Sequence, residues 1–204
     1  MLTSALRLAP LLATATTVLA AIAPAAVAQP RPLHGTIAGT AHMNTQNIDA
    51  PIDPGTLTGT FDPATGAITG TMWLPPLVDH GHQFGLFPYT SSNIRIHPDA
   101  PATGHVDAHG LTMTQRFHLE VPEVRPDWLP FWNMSTPTCR TADESLMTLT
   151  APGVTDPRQG FTATGAFDMG RFTGCGPAMD EFFSSPMVMS SPANPVTLTF
   201  TPTP

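Results

Sequence analysis

The chain has no lysine, and only 11% of its 204 residues are charged. Its eight basic residues are all arginine, spread along the chain against 15 acidic residues, for a formal net charge of −7. A nucleic-acid-binding surface needs clustered basic groups that displace counterions from phosphates, so the composition argues against that class of partner. The low charge also argues against a charge-driven disordered chain and a coiled coil.

Long helical patterns are missing as well. Proline (24 residues) and glycine (16 residues) recur before an apolar stripe of three helical turns can form, and β-branched threonine fills much of the sequence between them. No GxGxxG, Walker or GxSxG motif occurs, which removes the main sequence signals for dinucleotide, nucleotide and hydrolase chemistry. The pattern indicates an all-β protein, and no cofactor is expected.

The first 28 residues have the features of a signal peptide. Arg7 gives a positive start, residues 8–23 are apolar and rich in alanine, and Ala26 and Ala28 fit the small-residue rule for cleavage after Ala28. A membrane anchor is the alternative, but prolines shorten the apolar stretch below the roughly 20 residues that span a bilayer. We expect a secreted single domain, residues 29–204, with no integral membrane segment after cleavage.

Two cysteines are present, Cys139 and Cys175. In an exported protein the default expectation is that two cysteines pair. Two free thiols are the alternative, but neither residue lies in a CxxC motif or beside a histidine in sequence. We expect a structural disulfide between them.

Two segments carry strong hairpin patterns. Residues 56–61 and 67–74 flank a turn that contains proline and glycine. Residues 104–108 lead through a His-Gly turn into 111–121, where apolar residues fall on odd numbers, as in a half-buried strand. Further strand candidates are residues 33–42, 84–89, 93–97, 145–149, 160–167 and 196–201.

The fold class follows from these short strands. Nine or ten of them in one domain predict an antiparallel β-sandwich or β-barrel, and the sequence leaves the choice open. One short helix near the C-terminus is expected over residues 178–183, because a proline precedes it and acidic residues lie near its positive end.

Four segments together resemble a set of secreted actinobacterial proteins: a Leu-Pro-Pro sequence at 74–76, Cys139, a Gly-Cys-Gly-Pro sequence at 174–177, and the closing residues 191–200. The resemblance covers most of the mature chain. Those relatives tend to carry glycine where this chain has Ser191 and Ala193, and threonine where it has Pro195, so the closing segment departs from their pattern. The resemblance implies export, a β architecture and the disulfide. That family has no assigned activity, so no catalytic or binding residue is carried over.

His80 and His82 are the most suggestive of the eight histidines. Their spacing of two residues points both imidazoles to the same side of an extended strand, and ten methionines supply thioethers. Imidazole and thioether ligands both suit copper, so these residues predict a copper-type site. The competing interpretation is that histidines near turns are solvated and that methionines on strands fill the core. No HExxH helix defines a fuller ligand set.

Trp128, Phe131 and Trp132 lie in a segment with two prolines, Pro126 and Pro130. Proline disfavours a helix interior and a central strand, so the aromatic residues are expected in a loop. Such a loop can cap the open end of a barrel or contact a ligand or partner, and the alternative is that it folds back into the core. Apolar residues near positions 84–89 and 182–183 add material for a cavity that suits an acyl or isoprenoid chain.

The sequence therefore favours a secreted, non-catalytic β domain that binds an apolar small molecule or a cell-envelope component through Trp128, Phe131 and Trp132. An extracellular copper-type metal-binding protein is the second hypothesis. A secreted hydrolase is the third. Asp79 with His80, or Glu120 with His118, supplies acid–base pairs for it, but serine and threonine are too frequent to identify a nucleophile. No catalytic residue is assigned.

Overall fold

The structure is a computed structural model that describes residues 29–83 and 86–203, with the backbone alone for Gln83. The predicted signal peptide, residues 1–28, lies outside the described residues. None of the helices in the described ranges is long and apolar enough to cross a bilayer.

Thirteen strands, one short α-helix and one 3-10 helix occupy the described residues. The helix α1 spans Met179–Phe183, within the predicted range, and the 3-10 helix spans Pro157–Gln159. The strands are β1 (Arg31–Met43), β2 (Ile48–Phe61), β3 (Ala67–Trp73), β4 (Leu77–Gln83), β5 (Phe87–Pro98), β6 (Ala102–Asp107), β7 (Gly110–Glu120), β8 (Glu123–Pro126), β9 (Arg140–Thr141), β10 (Ser145–Pro152), β11 (Phe161–Met169), β12 (Phe172–Thr173) and β13 (Ser191–Pro202).

Eight of the strands form a closed ring in the order β7, β10, β11, β13, β1, β2, β3 and β6, which returns to β7. Every pairing in the ring is antiparallel. The fold is therefore all-β, as predicted, and it is the barrel of the two architectures that the sequence left open. Closure leaves these eight strands without a free edge.

Strand β7 shows how the sequence pattern produces the core. Its residues at odd positions, including Leu111, Met113 and Phe117, point inward and are buried. Gln115 has the same parity and is also buried, and its Nε2 donates a hydrogen bond to the carbonyl of Ala100 at 2.7 Å. The period-two prediction is confirmed along this strand.

Both predicted hairpins are confirmed, as β2–β3 and β6–β7. In the first turn the carboxylate of Asp62 accepts hydrogen bonds from the backbone N–H of Ala64 and the hydroxyl of Thr65, each at 2.9 Å. These hydrogen bonds hold the pKa of Asp62 below its usual value. Gly66 closes the turn with a φ of 76°, which favours glycine.

The remaining strands and the helix α1 gather at one end of the barrel, which we call the elaborated end. Strand β5 pairs with the last part of β7, and β4 and β8 pair with β5. Strand β9 pairs with Glu120 at the end of β7 and with β12, which precedes α1. The β4–β5 hairpin, the loop after β8 and the helix α1 therefore lie together at this end.

Strands β4 and β5 differ from the sequence predictions. Strand β4 was not predicted, because its central Asp79, His80 and Gly81 have low strand propensity. Residues 87–89 of the first candidate and all of the candidate 93–97 belong to one strand, β5, which begins at Phe87, while residues 84 and 85 lie outside the described residues. Its pairing with β4 shifts register between Leu77 and Asp79, and Asn93 adopts a φ of 57° in the resulting β-bulge.

Candidate ligand-binding site

The chain between β8 and β9, residues 127–139, is the loop that the prolines predict. Asn133 fixes its middle. The Oδ1 atom of Asn133 accepts hydrogen bonds from the backbone N–H of Val124 at 2.9 Å and of Ser135 at 3.1 Å. Its Nδ2 donates to the carbonyl of Pro122 at 3.0 Å. These hydrogen bonds tie the loop to β8 immediately after its aromatic segment.

An aromatic groove of about 190 Å³ lies between this loop, β5 and α1. Its described lining residues include no charged side chain. Phe183 forms its wall on α1 and is held by edge-to-face contacts with Phe172, at 6.2 Å between ring centroids. The residues that line the groove include Phe87, Tyr89, Trp128, Trp132, Phe182, Phe183 and Met189.

The three aromatic residues predicted from the loop divide into two groups. Trp128 and Trp132 line the groove, with 63% and 45% of their surface exposed. Phe131 is 81% exposed and is not among the residues that line the groove. Phe87, which lines the same groove, is also exposed, so the exposed part of the groove is apolar. The structure brings two of the three predicted residues into one concave surface.

The Cys139–Cys175 disulfide joins the two walls of the groove, and its prediction is confirmed. Cys139 ends the aromatic loop, and Cys175 lies just before α1. The hydroxyl of Thr138 adds a hydrogen bond to the carbonyl of Gly174 at 2.8 Å. On the helix side, the carboxylate of Asp180 accepts from the backbone N–H of Cys175 at 2.6 Å. The groove is thus preformed, because its walls cannot separate freely.

A second, inner cavity of about 60 Å³ lies inside the elaborated end of the barrel, beneath the β4–β5 hairpin. Met189 lines both this inner cavity and the aromatic groove, so the two spaces are adjacent. Asp79 is the one charged side chain among the described residues that line it. The apolar lining includes Ile52, Leu77, Phe117, Phe167 and Met189.

Asp79 reaches the inner cavity because it lies on the inward face of β4, with Leu77 and Gly81. Its partner across the β4–β5 pair is Ser91, which is fully buried. Asp79 itself is 8% exposed. Burial raises the pKa of its carboxyl to about 6, although the neighbouring His80 partly opposes the shift. A carboxyl with a shifted pKa in a cavity is typical of a functional site.

Tyr89 packs over Gly81, its partner across the same strand pair. A Cβ atom at Gly81 would lie 2.4 Å from the Tyr89 hydroxyl oxygen, so this arrangement requires glycine. Burial raises the pKa of Tyr89, and the nearby negative charge of Asp79 adds to the effect. The ring of Tyr89 therefore connects the wall of the aromatic groove to the strand that carries Asp79.

Three buried polar groups lie around this position: the hydroxyls of Tyr89 and Ser91, and the amide oxygen of Gln46. The Ser91 hydroxyl has no hydrogen-bond partner among the described residues, whereas the side chain of Gln46 is close enough to Tyr89 for a hydrogen bond that partly opposes the rise in the Tyr89 pKa. The other end of the Gln46 amide donates to the carbonyl of Val188 at 2.8 Å, which orients its oxygen. Buried polar groups in native proteins are usually paired, so an unpaired serine hydroxyl directly opposite a buried carboxyl, with Tyr89 and Gln46 beside it, is an unusual cluster. In sequence Asp79 adjoins only His80, whereas Ser91, Tyr89 and Gln46 lie on other segments, so no sequence pattern predicts this cluster.

His80 and His82, the predicted metal ligands, lie on the opposite, outward face of β4 and are exposed. Nδ1 of His80 is 3.1 Å from the hydroxyl of Thr90, which donates to Asp127 at 3.0 Å. Within the described ranges no group of three or more His, Cys, Asp or Glu residues is placed to hold a metal ion. The copper-type pair stays a prediction.

The acid–base pairs differ from those considered for a hydrolase. His118 contacts Asp99, with 2.6 Å between Nδ1 and Oδ1, rather than Glu120. Glu120 instead contacts Nε2 of His97 at 3.0 Å. His97 and His118 face each other across β5 and β7, and neither lines the aromatic groove or the inner cavity. These pairs support a surface network rather than a catalytic cleft.

Comparisons with protein-family models, curated proteins and solved structures give no match. The resemblance to secreted actinobacterial proteins therefore stays a prediction. Any functional conclusion depends on the geometry of the groove and of the inner cavity.

Proposed function

We propose that the protein is a non-catalytic binder of an apolar, chain-like small molecule, held in the aromatic groove. The observation that carries this proposal is the position of Trp128 and Trp132. Both are substantially exposed, yet both line one concave, uncharged surface. Soluble proteins bind apolar ligands in such concave surfaces, where aromatic side chains supply large contact areas.

The size of the hydrophobic contribution favours a long ligand. Aromatic side chains bury about 150–250 Å² each, so covering the exposed part of the two tryptophans removes on the order of 200 Å² from water. This area contributes about 5 kcal/mol at ~25 cal/mol/Å², while association itself costs on the order of 4 kcal/mol or more. Tight binding therefore needs an apolar body that also covers Phe87 and Phe182.

An extracellular location belongs to the same proposal. The disulfide between Cys139 and Cys175 is of the kind that persists in oxidising compartments, and the predicted leader would direct export. In that setting, the lipids of the cell envelope are the nearest source of chain-like apolar molecules. The proposed ligand class is thus an aliphatic or isoprenoid chain of envelope origin.

The test uses N-phenyl-1-naphthylamine, a neutral apolar probe whose fluorescence rises in dry surroundings. We expect saturable binding to the mature chain, residues 29–204, and competition by dodecanol. Trp128→Ala and Trp132→Ala should each weaken probe binding roughly tenfold, as expected for a central aromatic contact. Trp73→Ala is the matched control, because Trp73 is 54% exposed but lies on β3, outside the groove. Equal losses in all three variants, or no saturable binding, would refute the proposal.

A further inference from the structure

We propose that the inner cavity is a subsite for a primary ammonium group, recognised by Asp79 and Gln46, which line it, with the hydroxyls of Ser91 and Tyr89 beside them on the inward face of the β4–β5 pair. The ligand is then an amphiphile, with an apolar body in the aromatic groove and a small cationic head in the barrel end. This inference rests on the proposed function and specifies the chemical class of the ligand.

The strand register places the head-group residues on one surface. Asp79 pairs with Ser91, and Gly81, the next inward residue of β4, pairs with Tyr89. Directly opposed residues of an antiparallel pair project to the same face, so the two pairs form one inward patch. The absence of a side chain at Gly81 leaves space for the hydroxyl end of Tyr89 within this patch.

The two spaces lie close enough for one ligand. Tyr89 lines the aromatic groove, Asp79 lines the inner cavity, and Met189 lines both. The inner cavity encloses about 60 Å³, which is enough for a few water-sized groups but not for a bulky head. A primary ammonium meets this size limit.

The hydrogen-bonding capacity of the cluster selects a donor. The Oε1 atom of Gln46 is a hydrogen-bond acceptor, and the ionised carboxylate of Asp79 has acceptors and no donor. The hydroxyls of Ser91 and Tyr89 can accept as well. A primary ammonium offers three donors and no acceptor, which complements this set. The hydroxyl of Ser91, which is fully buried, has no partner among the described residues, so the protein itself leaves this hydrogen-bonding position unfilled.

The sign of the charge points the same way. Asp79 is the one ionisable side chain among the described residues that line the inner cavity, and no arginine is paired with it in the described ion pairs. Near pH 7.5 the carboxyl is ionised, because burial raises its pKa only to about 6. A buried carboxylate without a cationic partner is costly, and a ligand cation compensates it while an anion would be repelled.

The experiment compares dodecylammonium, dodecanol and dodecanoate as competitors of N-phenyl-1-naphthylamine near pH 7.5, below their micelle concentrations. For the wild-type protein, dodecylammonium should compete at roughly tenfold lower concentration than dodecanol, and dodecanoate should compete least. In Asp79→Asn the advantage of the amine should disappear, while probe and dodecanol affinities stay unchanged. Tyr89→Phe, which removes one hydroxyl, should reduce the advantage severalfold.

Asp127→Asn is the matched control for general attraction of amines to an acidic protein. Asp127 is an exposed carboxylate in the aromatic loop, and it lines neither cavity. This variant should keep the full advantage of dodecylammonium over dodecanol. An equal loss in Asp127→Asn and Asp79→Asn would overturn the subsite.

The outcomes separate this inference from the proposed function. If all three competitors bind equally to wild type and Asp79→Asn, the cavity holds water only. The ammonium subsite is then wrong, while the apolar groove remains. If neither the probe nor any competitor binds saturably, both proposals fail. Thermal unfolding of each variant checks that it is folded, and Tyr89→Phe provides the test should Asp79→Asn not fold.

Discussion

Asp79 and Ser91 face each other across the β4–β5 pair, at the elaborated end of the barrel, and both side chains are buried. Ser91 has no hydrogen-bond partner among the described residues, and Asp79 carries a pKa of about 6. Leaving a buried polar group unpaired costs about 1–3 kcal/mol. Asp79 and Ser91 therefore lower the free energy of unfolding of the protein, as polar groups at binding sites commonly do.

The first prediction concerns pH. Because burial raises the pKa of Asp79 from 3.8 to about 6, the folded state holds a proton that the unfolded chain has released in this window. The free energy of unfolding should therefore decrease as the pH rises from about 4 to 6, with the full loss present above pH 6. This pKa difference corresponds to roughly 3 kcal/mol, at about 1.4 kcal/mol per tenfold change.

Asp79→Asn tests this decrease. The variant should be more stable than wild type by about 1–3 kcal/mol near pH 8, and the difference should shrink toward zero near pH 4. Tyr89, the other titratable group facing Asp79, does not interfere because burial moves its pKa further upward. His80 lies on the outward face of β4 and is present in both proteins. Urea unfolding at several pH values measures the difference, and a constant difference would contradict the assignment.

A second prediction follows from Gly81. Adding a Cβ atom there brings it within 2.4 Å of the Tyr89 hydroxyl oxygen and 2.5 Å of the adjacent ring carbon, so the ring must move. Gly81→Ala should lower the free energy of unfolding by about 1–3 kcal/mol, the usual range for overpacking. The displaced ring should also weaken probe binding in the aromatic groove.

Gly170→Ala is the matched control for this substitution. A Cβ atom at Gly170 meets nothing within 4 Å. Its effect on stability should stay within about 0.5 kcal/mol, and probe binding should not change. Equal effects of the two alanine variants would show that Tyr89 does not depend on the space above Gly81.

The third prediction concerns the disulfide. Cys139 and Cys175 are 36 residues apart in sequence, so the chain-entropy estimate assigns the bond about 3–4 kcal/mol. Replacing both cysteines with alanine should lower the unfolding free energy by this amount. Because the bond joins the aromatic loop to the segment before α1, probe affinity should fall as well. Unchanged affinity in a folded double variant would show that hydrogen bonds alone, such as Thr138 to Gly174, hold the groove.

The parts of the fold that could be predicted from the sequence are those specified by residues close together in the chain. The alternation in 111–121 and the turn at Asp62 are local, and both predicted hairpins are confirmed. Closure of the barrel depends on the pairing of β7 with β10, in which Phe117 lies opposite Ser145. That pairing joins strands separated by a long segment, and no short-range pattern distinguishes it from sandwich packing.

The candidate site divides in the same way. Trp128 and Trp132 could be found because aromatic residues between prolines have few structural explanations. Asp79 could not be assigned to a buried site from the sequence, because β4 has a weak strand pattern. Without a predicted strand, nothing indicates that Asp79 and Leu77 face inward together. Its partners Ser91 and Gln46 come from other elements and are brought together only by the fold.

The last prediction uses the tryptophans themselves as reporters. Trp73→Phe leaves Trp128 and Trp132, which line the groove, as the tryptophans of the described residues. Binding of dodecanol should move their emission to shorter wavelength and reduce quenching by acrylamide, because the ligand replaces water at both rings. The converse protein, with Trp128→Phe and Trp132→Phe, reports from Trp73 on β3 and should show neither change. A similar shift in both proteins would mean that dodecanol adsorbs to exposed apolar surface in general. This result would contradict specific binding in the aromatic groove.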